Sequence, residues 1–258
     1  MYYYIKPLPE EEKEIKLEPV SYVKIVVVVD NNLGDPRLKT AWGVSIYVET
    51  NSNRILFDTG PNPSILSHNL KVLNINTSRI DCIILSHEHG DHTGGLKALT
   101  NLKNATVYIP SGAYSGLINH VKNLGFKPIL VNKSTVVFKG VAIIGPLYGP
   151  PYEQALVVYV KNKGLIVITG CAHPGIDKIV EYAHKVTGLP IYAVIGGFHL
   201  IGASTGRLEK IVSTFKVLKV VEVYPIHCTG DVAREYFEKN LGEAYKGGHV
   251  GTIIVLKG

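Results

Sequence analysis

The sequence predicts an α/β fold in which two β-sheets pack together with helices outside. Apolar runs of β type alternate with stretches of helical period along most of the chain. Each half starts with a hairpin-like pair of strands and continues as strand–helix alternation, so the chain reads as one domain built of two similar halves. Its 258 residues, 46% hydrophobic and 19% charged, are enough for one large core.

A charged N-terminal extension, residues 1–21, precedes the domain at 22–258 and reads as a solvated arm or an oligomer contact. "YVKIVVVVD" (22–30) reads as a buried strand. "WGVSIYVET" and "RILFDTG" flank "NSN" and read as a hairpin. "PSILSHNLKVLN" (63–74) has apolar residues at helical spacing, "RIDCIILS" reads as a strand, and "GGLKALTNL" opens a helix. In the second half "ALVVYVKNKGLIVITG" (155–170) is a hairpin turning at "NKG". "GIDKIVEYAHKVTG" is a helix ending at Gly188. Strands at "PIYAVIGG" and "VVEVYPI" alternate with helices at "TGRLEKIVSTFKVLK" and "GDVAREYFEKNLG", and "GTIIVLKG" closes the chain as a strand. "GPLYGPPYE", in the Pro/Gly cluster at 145–151, reads as a plain loop or as a pocket wall carrying Tyr148 and Tyr152.

Composition narrows the function classes. No apolar run reaches the roughly 18 residues needed to span a bilayer, and the N-terminus lacks the apolar core of a signal peptide. The expectation is a cytoplasmic protein with no membrane partner. Cys82, Cys171 and Cys228 form no CxxC pair, and their odd number argues against a disulfide framework. A net charge of +6 suits phosphorylated small molecules as well as nucleic acid. One methionine and one glutamine, with abundant Ile, Val, Tyr and Lys, point to a thermophile, while frequent asparagines point away.

The chemistry is carried by "CIILSHEHGDHTGGL" (82–96), which packs His87, Glu88, His89, Asp91 and His92 behind an apolar run. Residues two apart point the same way in an extended segment, so His87 and His89 can face one ion, and Asp91 and His92 a second. Three further apolar runs end near a histidine: "LIVITGCAH" (His173), "IYAVIGGFH" (His199) and "VYPIH" (His227). If the four strands share a direction, six histidines and Asp91 gather at one sheet edge, where open α/β sheets place their ligands. Such a nitrogen-rich set with a carboxylate suits two divalent ions, zinc first, with manganese, iron or magnesium as the other candidates. Paired ions lower the pKa of a water between them and hold attacking and leaving oxygens.

On these residues the chain resembles the metallo-β-lactamase superfamily. "SHEHGDHTGGL" matches its HxHxDH signature, and "ILFDTG" (55–60) its Asp-Thr-Gly element. The resemblance implies an αββα sandwich, with Asp58 steadying the metal loop. "TGCAHPGI", "IGGFHL" and "YPIHCTG" are similar to one branch, that of archaeal dihydropterin-phosphate synthases of methanopterin biosynthesis. By the resemblance, His87 and His89 bind one metal, Asp91 and His92 the other, and His227 completes the second site. The chain departs from the general pattern in the middle. "PPYEQALVV" lacks the usual ligand histidine, Cys171 stands where a bridging acid is usual, and His173 is the natural substitute ligand. Cys171 is then either a ligand or a small buried residue. His89 stands where diiron oxygen-reducing members carry glutamate, which argues against that chemistry.

Asp91 and His199 are the candidate catalytic residues. The glycines before Phe198 would let the backbone pass close to a ligand, so His199 reads as a substrate-facing proton donor, as a metal ligand or as a support for one. Cys82 reads as core, His68, His120 and His184 as surface, and His249 more simply as a residue of a Gly-rich turn than as one that reaches the site. The expected function is a metal-dependent hydrolase or transferase acting on a phosphorylated or anionic small molecule. The alternatives are a nuclease of the same fold, for which no added nucleic-acid-binding segment is recognisable, and a non-catalytic ligand-binding member.

Overall fold

A computed structural model describes residues 14–258. Strands β1 (Tyr22–Val29), β2 (Ser45–Thr50), β3 (Arg54–Phe57), β4 (Cys82–Ile84), β5 (Thr106–Pro110) and β6 (Lys127–Val131) build one sheet. Strands β7 (Thr135–Phe138), β8 (Val141–Tyr148), β9 (Tyr152–Val160), β10 (Gly164–Thr169), β11 (Ile191–Gly197) and β12 (Glu222–Ile226) build the other, in the order β12-β11-β10-β9-β8-β7. The last strand, β13 (Ile253–Lys257), crosses back to pair antiparallel with β1, Ile254 opposite Ile25. The two halves are therefore not self-contained: the second lends its final strand to the first.

Helices α1 (Pro63–Val72), the single turn α2 (Gly90–Thr93) and α3 (Ser115–Asn123) belong to the first half, and α4 (Ile176–Thr187), α5 (Thr205–Val217) and α6 (Asp231–Leu241) to the second. The period-2 alternation of a strand sorts its side chains between two interiors. In β10, Ile166 and Ile168 meet Ile25, Ile46 and Phe57 between the sheets. Their neighbours Leu165 and Val167 face Ile179 of α4, Ile211 of α5 and Phe237 of α6. Leu66 of α1 and Val121 of α3 close the other outer layer over Ile83 and Val107. Because both faces of these strands are buried, they read in sequence as continuous apolar runs. The result is the αββα sandwich.

Helix ends follow local chemistry. The Asn62 side chain accepts the N–H groups of Ser64 and Ile65 ahead of Pro63. Gly188 ends α4 in the left-handed conformation, as the sequence predicts.

Three segments depart from their expected local structure. The helix expected at 94–102 is a 3-10 turn, Gly94–Leu99, continuing α2. "GPLYGPPYE" is not a loop but the closed end of the β8–β9 hairpin, with Tyr148 paired to Tyr152. Much of the acidic leader, residues 1–13, lies outside the described residues. Residues 14–20 do not stand away as an arm: the Ile15 N–H donates to Val186 O and the Val20 N–H to Tyr159 O, while Ile15 and Leu17 pack on the α4 layer. No helix among the described residues is long and apolar enough to cross a membrane.

Candidate metal centre

The four histidine-bearing strands do not form one sheet edge. β10, β11 and β12 run parallel in one sheet, whereas β4 lies in the other, parallel to β3. The site is therefore built where the C-terminal ends of strands from both sheets meet. Acids after β1 (Asp30) and β3 (Asp58) join it from below.

Asp58 organises the first cluster. Its carboxylate accepts the Ser86 backbone N–H at 2.7 Å and the Ser86 hydroxyl at 2.6 Å. Ser86 Oγ lies 2.9 Å from His87 Nδ1, and His87 Nε2 faces His89 Nδ1 at 3.0 Å. His173 comes from the far half of the chain to join them, all three donor atoms lying within 4.8 Å of one another. Its Nε2 is buried without a hydrogen-bond partner.

The turn α2 supplies the second cluster. His92 Nδ1 lies 2.7 Å from Asp58 Oδ2, so one carboxylate braces both clusters. His92 Nε2 sits 3.5 Å from Asp91 Oδ2, and His227 Nε2 sits 3.3 Å from the same oxygen but makes no hydrogen bond. Asn31 Oδ1 holds His227 Nδ1 at 3.0 Å, and Asp30 accepts the His227 backbone N–H at 2.8 Å. Cys171 lies between the clusters, its Sγ 3.2 Å from His92 Nε2 and grouped with both His87 and His92.

Glu153 shapes the loop that brings in Cys171 and His173. It is buried at the start of β9 and accepts the backbone N–H groups of Gly170, Cys171, Ala172 and His173 at 3.1, 2.9, 2.8 and 2.8 Å. Four non-glycine residues at these strand ends hold positive φ: Asp58, Ala172, His199 and His227, at 51° to 58°. Backbone of this kind costs free energy and persists where the surroundings over-determine it. Gly170 is required for space, since a Cβ there would lie 2.1 Å from Ser86 Oγ. The glycines before Phe198 serve packing rather than ligand approach, correcting the expectation. A Cβ at Gly196 would meet Thr169 O, and one at Gly197 would meet Gly170 O and Cys228 Sγ.

Electrostatics suit the donor roles. Burial, reinforced by His92, His173 and His89, holds the His87 imidazole far below its ordinary range. Burial, with His199 and His89, holds His173 at about 3. Burial opposes ionisation of Asp91, but the His227 and His92 imidazoles beside it outweigh that and keep the carboxyl well below the usual range. Burial also opposes charge on His92, yet Asp58 and then Asp91 raise it to about 10. Neutral His87 and His173 imidazoles, an ionised Asp91 carboxylate and two Nε2 atoms without a hydrogen-bond partner fit divalent metal ions, and His92, held charged by Asp58 and Asp91, would give up a proton to bind one.

His199 is exposed, its ring 4.5 Å from that of His173 and its donor atom grouped with Cys171 and Cys228. Cys228 raises the His199 imidazole above its ordinary value, with burial opposing. Cys82 is core as expected. His68 is half-buried and His184 exposed, both bonded to backbone carbonyls, and His120 is exposed. His249 bonds to Val250 O and belongs to none of the clusters among the described residues. The Tyr148 and Tyr152 rings pack at a tilt of 57° with centroids 4.9 Å apart at the hairpin end, where Gly149 packs against His173 and Pro174. Glu88 accepts the Tyr114 N–H at 2.6 Å and anchors the entry to α3.

Sequence reasoning missed Glu153, Asp30, Asn31, Ser86 and Trp42. Asp30 and Asn31 follow an apolar run just as the histidines do, so the same search extended to acids and amides would have found them. Trp42 carries no such signal.

The fold and the site define a class. A family model for the metallo-beta-lactamase superfamily matches residues 42–187, and the chain belongs to that superfamily, whose members usually bind metal ions. The chain is 33% identical to 7,8-dihydropterin-6-methyl-4-(beta-D-ribofuranosyl)-aminobenzene-5'-phosphate synthase of Methanocaldococcus jannaschii, over 91% of this chain and 97% of the relative. A solved metal-dependent hydrolase of the beta-lactamase superfamily is 28% identical with a TM-score of 0.77, covering 92% of this chain and 100% of that one. A diphosphatase from the PhnP family, 17% identical with a TM-score of 0.62 and covering 92% and 98%, is alike in fold alone.

Proposed function

We propose that the protein is a dinuclear metal-dependent enzyme acting on a phosphorylated or otherwise anionic small molecule, by hydrolysis or by transfer with loss of a phosphorylated leaving group. His87, His89 and His173 hold one divalent ion, and Asp91, His92 and His227 the other, with Cys171 between them. Zinc suits the donors best. The observation that carries the reading is the convergence of two triads from three separate chain regions, each ending on a buried histidine Nε2 with no hydrogen-bond partner. The relative's name, a synthase of a 5'-phosphate, supports a phosphorylated substrate and favours transfer.

Divalent ions held there supply Lewis acidity to an anionic oxygen and acidify a water. The chain's residues do the rest. Asp58 fixes the orientation of His92, and through Ser86 that of His87. Asn31 and Asp30 fix His227. Asp91 stays ionised and orients the second site. His199, exposed beside His173, delivers a proton to the leaving group.

The test pairs elemental analysis of wild type, His89→Ala and Asp91→Ala with a metal-replete screen against phosphodiesters, pyrophosphates, lactones and thioesters. Each variant is expected to lose close to one ion per chain and its turnover. Full metal content in both variants overturns the assignment.

A further inference from the structure

A cavity of about 570 Å³ opens beside the second cluster, with His227 in its wall. That volume falls within the range of about 300–1,000 Å³ typical of small-molecule sites. Its apolar wall includes Trp42, Leu200, Ile201 and Val232. Trp42 is 52% exposed, Ile201 64% and Val232 78%. Large apolar side chains gathered around a concavity gain free energy when a ligand covers them.

Trp42 is held in place rather than dangling. Its ring centroid lies 4.7 Å from that of His227. The Ala41 N–H donates to Asp30 O and the Val44 N–H to Asp91 O. Gly43, between Trp42 and Val44, passes so close to Asp91 that a Cβ would lie 2.2 Å from its carbonyl oxygen. The loop that presents the indole is thus pinned to the segment that presents the Asp91 carboxylate.

Charge decides what the cavity takes. None of the fourteen lining residues is lysine or arginine, and one, Asp231, is acidic. An anionic group finds no basic side chain there, and Asp231 would repel it. It belongs at the cluster beyond His227, and the cavity is left for an uncharged part of the same molecule. An indole face offers most to a flat ring, which stacks on it with both burial and quadrupole complementarity.

We infer that this cavity is the subsite for an uncharged planar aromatic ring of the substrate, stacked on Trp42, with the anionic group reaching past His227 to the metal ion that Asp91 and His92 would hold. The inference rests on the anionic-substrate reading above. It makes Trp42 a specificity-determining residue.

Trp42 is the sole tryptophan, so its fluorescence reports on this cavity directly. The probes are phenylphosphonate and methylphosphonate, which share an anionic head and a stable C–P bond, and phenol, which is a ring without charge. Binding is measured by calorimetry on protein of known metal content, and by Trp42 emission. Phenylphosphonate is expected to bind wild type roughly 10-fold more tightly than methylphosphonate and to perturb Trp42 emission. In Trp42→Ala with full metal content that preference should fall to about twofold or less, and in Trp42→Phe most of it should remain. If Trp42→Ala loses metal, the Trp42→Leu variant, equally unable to stack, takes its place. Equal affinity for the two phosphonates, or a preference that survives loss of the indole, overturns the inference. If phenol perturbs Trp42 emission in the wild type but neither phosphonate binds, the ring subsite stands and the anionic-substrate reading falls.

Discussion

The Glu153 carboxylate accepts the backbone N–H of His173 at 2.8 Å, twenty residues along the chain and across the closed end of the β8–β9 hairpin. The same carboxylate holds the three preceding N–H groups. Glu153→Gln presents an amide N–H₂ where only acceptors fit, leaving buried donors unmatched. The expected cost is about 1–3 kcal/mol of stability, with a weaker metal site at His173. Urea unfolding and metal analysis check both, and an unchanged metal content would leave Glu153 a purely structural residue.

Cys171 bears on the inequivalence of the two ions. A single thiol between the clusters cannot bridge as a carboxylate with two oxygens does, so one ion should be held more weakly. Titration with a chelator should show two separable steps in wild type. Cys171→Asp should bring the steps together, and an unaltered profile would make the thiol a spectator.

His199→Ala should keep both metals and the melting temperature yet lose about 100-fold in turnover, the range for a lost proton donor. Kinetics on the screened substrate, with metal analysis alongside, separate this from a ligand role. Loss of an ion would make His199 a ligand instead.

Asp177 and Arg207 tie α4 to α5. Arg207 donates to both carboxylate oxygens, and the Asp177 side chain is fully buried. Burial works against its ionisation, but Arg207 outweighs it and holds the carboxyl below 3.8. A depressed carboxyl stabilises the fold above its unfolded pKa and loses that contribution as pH falls through the folded value. Asp177→Asn should therefore cost about 1–3 kcal/mol near neutrality, discounted because Arg207 is partly exposed. The difference from wild type should shrink below pH 3.8, the unshifted carboxyl value. Denaturant unfolding at neutral pH and at low pH is the check.

The layers of the fold and much of the candidate site could be read along the chain because both are local signals. Ile166 and Ile168 against Leu165 and Val167 encode two buried faces in the order of the residues. His87, His89, Asp91 and His92 lie so close in sequence that any fold keeps them together. His173, His199 and His227 were legible because each follows an apolar run, and strand ends are where such sites form.

What could not be read there depends on contacts between distant segments, which no local period reports. The closing strand pairs with β1 rather than with its own half because the two sheets share one interior. The histidine strands divide between two sheets instead of lining one edge. Asp58 bracing His92 depends on neighbours 34 positions away, Glu153 cradling residues 170–173 on neighbours about 20 away, and Trp42 against His227 on one far along the chain. Such contacts are selected by packing and by the need to satisfy buried polar groups, and those constraints exist only once the chain has folded.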